Sequence, residues 1–128
     1  LYLGDEDEFF PNEIKEMILV ALEEKLAKID SKTRQADILK DVVYNNGGCQ
    51  HIASQKAQKL KSALKGYKNV SSSMRQLLTE LGFVISEEGK HYKLTYYGDG
   101  RYWTTIAKSP SDNRTGTNVA LTIIKNML

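Results

Sequence analysis

Cysteine, histidine and proline are scarce in this sequence, which has one, two and two of them in 128 residues. The single cysteine, Cys49, excludes an internal disulfide and is typical of a reducing compartment, so we expect a cytoplasmic protein. One cysteine and two histidines fall short of the four ligands of a structural zinc site, and we expect neither a metal nor another cofactor. No apolar run approaches the length that spans a bilayer, so we expect no membrane partner.

The amino terminus also lacks an initiating methionine and a basic-then-apolar signal segment. We therefore expect the sequence to be a segment of a longer or processed protein. Its 41% hydrophobic content is enough for the core of one globular domain or of two very small ones.

Charge is divided unevenly along the chain. Residues 1–30 hold nine acidic residues and three lysines, a net charge of −6, whereas residues 31–128 hold fifteen basic and seven acidic residues, a net charge of +8; the two sum to the overall +2. A basic region is typical of nucleic-acid binding, so we predict RNA or another nucleic acid as its partner. The acidic segment is a candidate intramolecular partner of the same surface. The alternative is that both sets of charges only solvate helix faces.

Residues 1–68 are predicted to form a helical segment. The first helix begins near Pro11, since proline is tolerated in the first helical turn. Its apolar residues lie on one stripe, which we expect to face a core: Ile14, Met17, Ile18, Ala21, Leu22, Leu26 and Ile29. The opposite face carries acidic residues, which we expect to be solvated rather than to bind metal: Glu13, Glu16, Glu23 and Glu24.

The second predicted helix begins at Asp30-Ser31 and ends at Gly47-Gly48. Its inward residues are expected to be Ile38, Leu39, Val42 and Val43. Cys49 and His51 follow, and we interpret them as part of a cap region with a small buried thiol.

The third predicted helix, from Ile52 to about Lys65, carries the densest group of lysines in the chain. They are Lys56, Lys59, Lys61 and Lys65, with Lys68 just beyond. Such a helix face can bind phosphates, and we predict that Lys56 and Lys59 do so; a solvated face is the alternative. The second and third helices also have about the lengths of a helix-turn-helix that reads DNA, which is a further alternative.

Residues 69–128 predict an α-β-β-β-α unit with an antiparallel three-stranded sheet, which makes the whole chain α+β. Ser71 to Ser73 can cap the first of these helices, and Thr117 or Asn118 the last. Between them lie a short strand, Phe83-Val84-Ile85, and a hairpin whose strands flank the turn Gly98-Asp99-Gly100. This order is typical of a double-stranded-RNA-binding-type fold, with two helices on one sheet face and the other face open.

The first hairpin strand has the alternation of a half-buried strand. It places Leu94 and Tyr92 or Tyr96 on one face. We expect the other face to carry His91, Lys93, Thr95 and Tyr97. The turn from Ser109 to Arg114 precedes a helix and is a candidate anion site or, alternatively, a capped turn.

Several segments together resemble the HicA-type toxins, small mRNA interferases of bacterial toxin–antitoxin systems. The segments are Leu81-Gly82-Phe83, Gly89-Lys90-His91, Thr105-Ile106 and Gly116-Thr117, the last opening a helix that ends Ile123-Ile124-Lys125. The resemblance covers residues 71–128. Lys90 stands where that family usually has serine, and Ala107-Lys108 where it usually has a proline and often a second histidine.

The resemblance implies that His91 is the acid–base group of a metal-independent endoribonuclease, which removes the proton from a ribose 2′-hydroxyl. Histidine suits that role because its ordinary pKa lies near neutrality. The residues expected to hold the phosphate are Lys90, Lys93, Arg101, Lys108 and Arg114. No other histidine lies nearby in the sequence, so no second proton-transfer group is predicted. The alternative for His91 is an exposed strand residue without a catalytic role.

Aromatic residues of the hairpin can stack on bases, or they can pack within the hairpin: Tyr92, Tyr96, Tyr97, Tyr102 and Trp103. We favour RNA binding over cleavage, because the features that predict the fold outnumber those that predict catalysis. The resemblance also implies an antitoxin-like partner. The alternative function is a protein-interaction or regulatory domain of a larger bacterial protein, without nucleic-acid chemistry.

Overall fold

The computed structural model describes residues 4–128 and confirms the predicted α+β class. Five helices and three strands follow one another in the predicted order. They are α1 (Glu13–Leu26), α2 (Arg34–Asn45), α3 (Ile52–Leu64), α4 (Ser72–Glu80), β1 (Phe83–Glu88), β2 (His91–Tyr96), β3 (Trp103–Ala107) and α5 (Thr115–Met127). The first three residues of the acidic segment lie outside the described residues.

By its internal contacts the chain divides into two compact units, Leu1–Ile52 and Ala53–Leu128. Helix α3 therefore groups, apart from Ile52, with the sheet. The predicted division of the chain into domains at residues 1–68 and 69–128 stays a prediction.

The first unit pairs α1 with α2. The side chain of Asn12 makes no capping hydrogen bond at the start of α1, and two carboxylates bind backbone N–H groups there instead. Glu13 Oε1 accepts from the N–H of Phe9 at 2.8 Å, and Glu8 accepts from the N–H groups of Asn12 and Ile14 at 3.3 Å. Acidic groups are favoured there because the unpaired N–H groups and the helix dipole attract negative charge. Helix α2 begins at Arg34, later than predicted, and is capped by Thr33, whose Oγ1 accepts from the N–H of Ala36.

The predicted faces of α1 and α2 are only partly right. Glu13 and Glu16, which we expected in solvent, are buried, whereas Met17 and Ile18 are exposed. Ile38 and Val42 of α2 are exposed as well. The pattern of polar and apolar residues defines two faces of a helix, but packing decides which face is covered.

The second unit is built on the sheet, whose strand order is β1-β2-β3 with both pairs antiparallel. Helix α4 packs on β1 and α5 packs on β3. Ser71 caps α4 as predicted, since its Oγ accepts from the N–H of Met74 at 3.2 Å. The fully buried side chains of this core come from every layer: Leu60, Leu64, Leu78, Leu94, Tyr96, Ile106 and Ile123.

Two close approaches fix the helices of this unit. A methyl group at Gly116 would overlap the carbonyl oxygen of Leu64, so glycine lets the start of α5 lie against the end of α3. Just after α3, the hydroxyl of Tyr67 donates to the carbonyl oxygen of Ala107 at 2.7 Å. Helix α5 begins at Thr115, earlier than the predicted caps Thr117 and Asn118.

Candidate nucleic-acid interface

The sheet has one face toward α4 and α5 and one face that these helices leave uncovered, which we call the outer face. Cross-strand partners share a face of an antiparallel sheet. The register therefore places three rows on the outer face: Val84, Thr95 and Trp103; Ser86, Lys93 and Thr105; Glu88, His91 and Ala107. Val84 and Trp103 expose 55% and 52% of their surface, so large apolar groups on this face are in contact with solvent.

The predicted alternation of β2 is confirmed. Tyr92, Leu94 and Tyr96 are buried, while Lys93 and Thr95 are partly exposed and His91 is exposed. The imidazole of His91 is thus accessible at the end of the strand, on the face that carries Lys93.

Lys93 and Trp103 form the most specific contact of the outer face. The ammonium nitrogen of Lys93 lies 4.8 Å from the centroid of the Trp103 ring, across the β2–β3 pair. This distance is typical of a cation–π interaction, which fixes the lysine next to the indole. About half of the surface of Trp103 stays exposed, so the contact leaves an aromatic residue accessible beside a positive charge.

Lys90 extends this surface at the end of the sheet. It follows Gly89 in a two-residue turn between Glu88 and His91, and Gly89 has a φ of +60°, a conformation that glycine adopts readily at the first central position of such a turn. Lys90 is exposed and adjacent in sequence to His91. His91 and Lys93 therefore share the outer face, and Lys90 lies in the turn next to His91.

Lys108 does not join them. Its ammonium nitrogen lies 3.4 Å from Glu87 Oε2 and 5.0 Å from the centroid of the Tyr92 ring. The guanidinium of Arg75 also lies 5.0 Å from that ring. Because Tyr92 points to the helix-covered side of the sheet, Lys108 lies at the edge of that side and away from His91.

Arg101 is held by a neighbour in the hairpin turn. Its Nη2 lies 2.7 Å from Asp99 Oδ2, and its Nε and backbone N–H also donate to the Asp99 carboxylate. The hydrogen bonds from Arg101 lower the pKa of Asp99 from 3.8 to about 2. The predicted phosphate contact of Arg101 therefore competes with this ion pair.

The two predicted lysines of α3 differ. Lys56 Nζ donates to the hydroxyl oxygens of Tyr96, at 2.8 Å, and of Tyr97, at 3.3 Å, and lies over both rings. Lys59 is exposed on the same helix. Lys56 is thus turned toward the core of the second unit rather than outward.

Arg114 is exposed at the start of α5 and is not one of the residues of the sheet. In the preceding turn Asp112 Oδ1 accepts from the N–H of Arg114 at 2.8 Å, and the side chain of Arg114 makes no capping hydrogen bond. A carboxylate therefore already occupies part of the position that an anion would take at this helix start.

Trp103 is the one hairpin aromatic that the register places on the outer face. Tyr92 and Tyr96 are in the core, and the prediction that Tyr97 shares the face of His91 is wrong. Tyr97 has a φ of +51°, so the strand alternation ends before it. Its ring lies against Gly82, whose carbonyl oxygen accepts from the Tyr97 N–H at 2.8 Å.

Glu88 is the outer-face residue that the sequence analysis missed. It is exposed and is the direct cross-strand partner of His91. The signal was present in the sequence: the two-residue turn Gly89-Lys90 makes the residues on either side of it opposite neighbours. Glu88 therefore places a carboxylate opposite the imidazole of His91, and this carboxylate was not part of the site predicted from the sequence.

Cys49 and His51 belong to the first unit. Burial raises the pKa of the Cys49 thiol from 9.0 to about 11, helped by a hydrogen bond to Glu23 and by the charges of Glu23 and Glu16. Glu23 Oε2 also lies 3.6 Å from His51 Nε2. Nevertheless, within residues 4–128 no three His, Cys, Asp or Glu side chains are arranged so that they could hold a metal ion.

Over the same described part of the chain, the helices are too short or too polar to traverse a bilayer. Comparison with known proteins gave no match to a family model, to a curated protein or to a solved structure.

Proposed function

We propose that the chain binds RNA through the outer face of its sheet. The observation that carries this proposal is the pairing of Lys93 with the half-exposed Trp103, on the face that also carries the exposed His91. Such a surface offers a plane for a base and a positive charge for the adjoining phosphate. Single-stranded RNA is commonly held in this way, because its unstacked bases are free to stack on aromatic side chains.

The positions of the remaining positive charges support a short binding site. Lys90 lies at the end of the outer face that carries His91. Trp103 lies at the opposite end, two rows of residues away from His91. The rows are two residues apart along each strand, about 7 Å, so the face is long enough for about two to three nucleotides. Exposed Lys59 and Arg114 lie elsewhere in the second unit and are candidates for weaker contacts to the flanking backbone.

The resemblance to the HicA-type toxins supports RNA over DNA and extends the proposal to a cytoplasmic protein with an antitoxin-like partner. It also proposes His91 as the proton-transfer group of a metal-independent endoribonuclease. The single cysteine agrees with a reducing compartment.

Binding of a labelled single-stranded RNA at low and at raised salt tests the proposal. We expect binding that weakens with salt, because lysine contacts to phosphates release counterions. Trp103→Ala removes the stacking plane and is expected to cost about 1–3 kcal/mol of binding free energy. Lys93→Ala is expected to weaken binding and to reduce the magnitude of the logarithmic salt slope by about 0.7.

Lys125→Ala is the matched control, because Lys125 is an exposed lysine of α5 outside the outer face. Its affinity for RNA is expected to equal that of the wild type. Absence of salt-sensitive binding, or equal losses in the Lys93 and Lys125 variants, would show that the outer face is not an RNA-binding site.

The second candidate function is a protein-interaction domain, favoured by the first unit. Met17 and Ile18 of α1, and Ile38 of α2, expose 40–48% of their surface, and Tyr44 exposes 83%. Exposed apolar groups of this size are typical of helices that bind another protein. Under this alternative, we expect the double variant Met17→Ser, Ile38→Ser to lose binding of the protein partner. Neither the wild type nor the double variant would then bind RNA.

A further inference from the structure

We propose that Glu88 and His91 act together as the base and the acid of an RNA-cleaving site. The inference rests on the proposed function, since it needs RNA on the outer face. It adds a catalytic residue, Glu88, that the sequence analysis did not include. Glu88 takes the role of the base, so that His91, which the resemblance implies removes the proton, serves as the acid instead.

The register supplies the first argument. Glu88 and His91 are paired across β1 and β2, immediately before and after a two-residue turn. Directly opposite residues of an antiparallel pair have Cβ atoms about 5 Å apart and point to the same side. Both side chains are exposed on the outer face, so a phosphate can reach both of them at once.

The second argument is that neither group is used elsewhere. Within residues 4–128 the structure gives the Glu88 carboxylate and the His91 imidazole no side-chain hydrogen bond and no ion pair within 4 Å, even with each other. By contrast, the adjacent Glu87 is 3.4 Å from Lys108, on the helix-covered side. A carboxylate and an imidazole that are both available to a ligand are suited to accept and to donate a proton in one reaction.

The surrounding charges fit the same chemistry. Lys90, in the turn, and Lys93, two residues along β2 on the same face, are the cations nearest to the pair in sequence and register. The neighbouring positions on β3, Ala107 and Thr105, are uncharged. Two lysines beside the pair can offset the negative charge that develops on a phosphate in the transition state.

The reaction is a transesterification within the RNA. The Glu88 carboxylate accepts the proton of a ribose 2′-hydroxyl, and the 2′-oxygen forms a bond to the adjacent phosphorus. The bond from phosphorus to the 5′-oxygen of the next nucleotide breaks, and the His91 imidazolium gives its proton to that oxygen. The products are a 2′,3′-cyclic phosphate and a 5′-hydroxyl end, and no water, metal or oxidant is consumed.

The test uses the full chain, a single-stranded RNA and the same sequence with 2′-deoxy sugars, which lacks the attacking hydroxyl. We expect the RNA to be cut to a 2′,3′-cyclic phosphate and the deoxy analogue to stay intact. The rate is expected to be bell-shaped in pH. Glu88→Gln is expected to lower the rate about 10²–10⁴-fold and to abolish the rise of the rate on the acidic side of the profile. His91→Asn is expected to abolish the fall of the rate on the alkaline side.

Glu87→Gln is the matched control, since it removes a carboxylate one residue away that faces the other side of the sheet. Its rate is expected to equal that of the wild type. If the RNA binds but is not cut, or if Glu88→Gln cuts with the wild-type pH profile, the inference is overturned and RNA binding stands. If neither the RNA nor the analogue binds, the inference and the proposed function both fail.

Discussion

The ammonium group of Lys56 lies 2.8 Å from the hydroxyl oxygen of Tyr96, a residue of the core with 2% of its surface exposed. Lys56 also contacts Tyr97, so one side chain of α3 joins two residues at the end of β2. A lysine that looks like a phosphate ligand in the sequence is thereby a structural residue.

We expect Lys56→Ala to destabilise the protein by about 1–2 kcal/mol, because it removes hydrogen bonds from a charged donor and its contacts with two rings. Lys59→Ala, three residues along the same helix, is expected to change stability by less than about 0.5 kcal/mol. Urea unfolding of both variants measures the difference. Equal stabilities would contradict the structural role of Lys56.

Gly116 provides a test of the packing between α3 and α5. A methyl group there would overlap the backbone of Leu64, which cannot move aside as a flexible side chain can. We expect Gly116→Ala to lower the free energy of unfolding by about 2 kcal/mol or more. Gly100→Ala is the control, because Gly100 has open space around its Cα and an ordinary φ; thermal unfolding that is the same for both variants would refute the close approach.

The Cys49 thiol is expected to react slowly with iodoacetamide. Its pKa is raised from 9.0 to about 11, first by burial and then by Glu23 and Glu16, so the reactive thiolate is about 100-fold scarcer than in an unfolded chain at the same pH below 9. The stability that this protonated thiol contributes is complete below pH 9.0 and is lost as the pH rises through about 11.

Glu23→Gln removes a negative charge next to the thiol, so we expect the alkylation rate of Cys49 to rise several-fold at pH 8. Glu24→Gln is a suitable control because Glu24 is exposed on the same helix and does not act on the pKa of Cys49. An alkylation rate that does not respond to Glu23→Gln would remove Glu23 as a cause of the shift.

Asp99 is expected to titrate near pH 2. Hydrogen bonds from Arg101 favour its ionised form, so its contribution to stability is present above pH 3.8 and is lost as the pH falls through about 2. The carbon-13 shift of its carboxyl group, followed by NMR, reports the titration directly. In the Arg101→Gln variant, the midpoint of the Asp99 titration is expected to return toward pH 3.8. A midpoint that stays near pH 2 would show that Arg101 is not the cause of the lowered pKa of Asp99.

The local features of this fold could be predicted from the sequence because their causes are local. The cap at Ser71, the alternation of β2 and the order of helices and strands follow from neighbours in the chain. The outward position of His91 and Lys93 was predictable for the same reason. Even Glu88 could have been placed, since a two-residue turn fixes which residues lie opposite each other.

Features that depend on distant partners could not be predicted. Lys56 has the same type of side chain as Lys59, and only the position of Tyr96, forty residues away, distinguishes them. The alternation of β2 gave no sign that Tyr97 would take a positive φ against Gly82. In α1 packing buried Glu13, Glu16 and Leu19, none of which lies on the predicted apolar stripe, while Met17 of that stripe stayed exposed.

Trp103 is the single tryptophan of the chain, and about half of its surface is in contact with solvent on the outer face. Fluorescence excited selectively in the indole therefore comes from one point of the molecule, next to Lys93. A base that stacks there would quench this emission without any label being attached. The unmodified protein is thus its own optical sensor of whether that face is occupied.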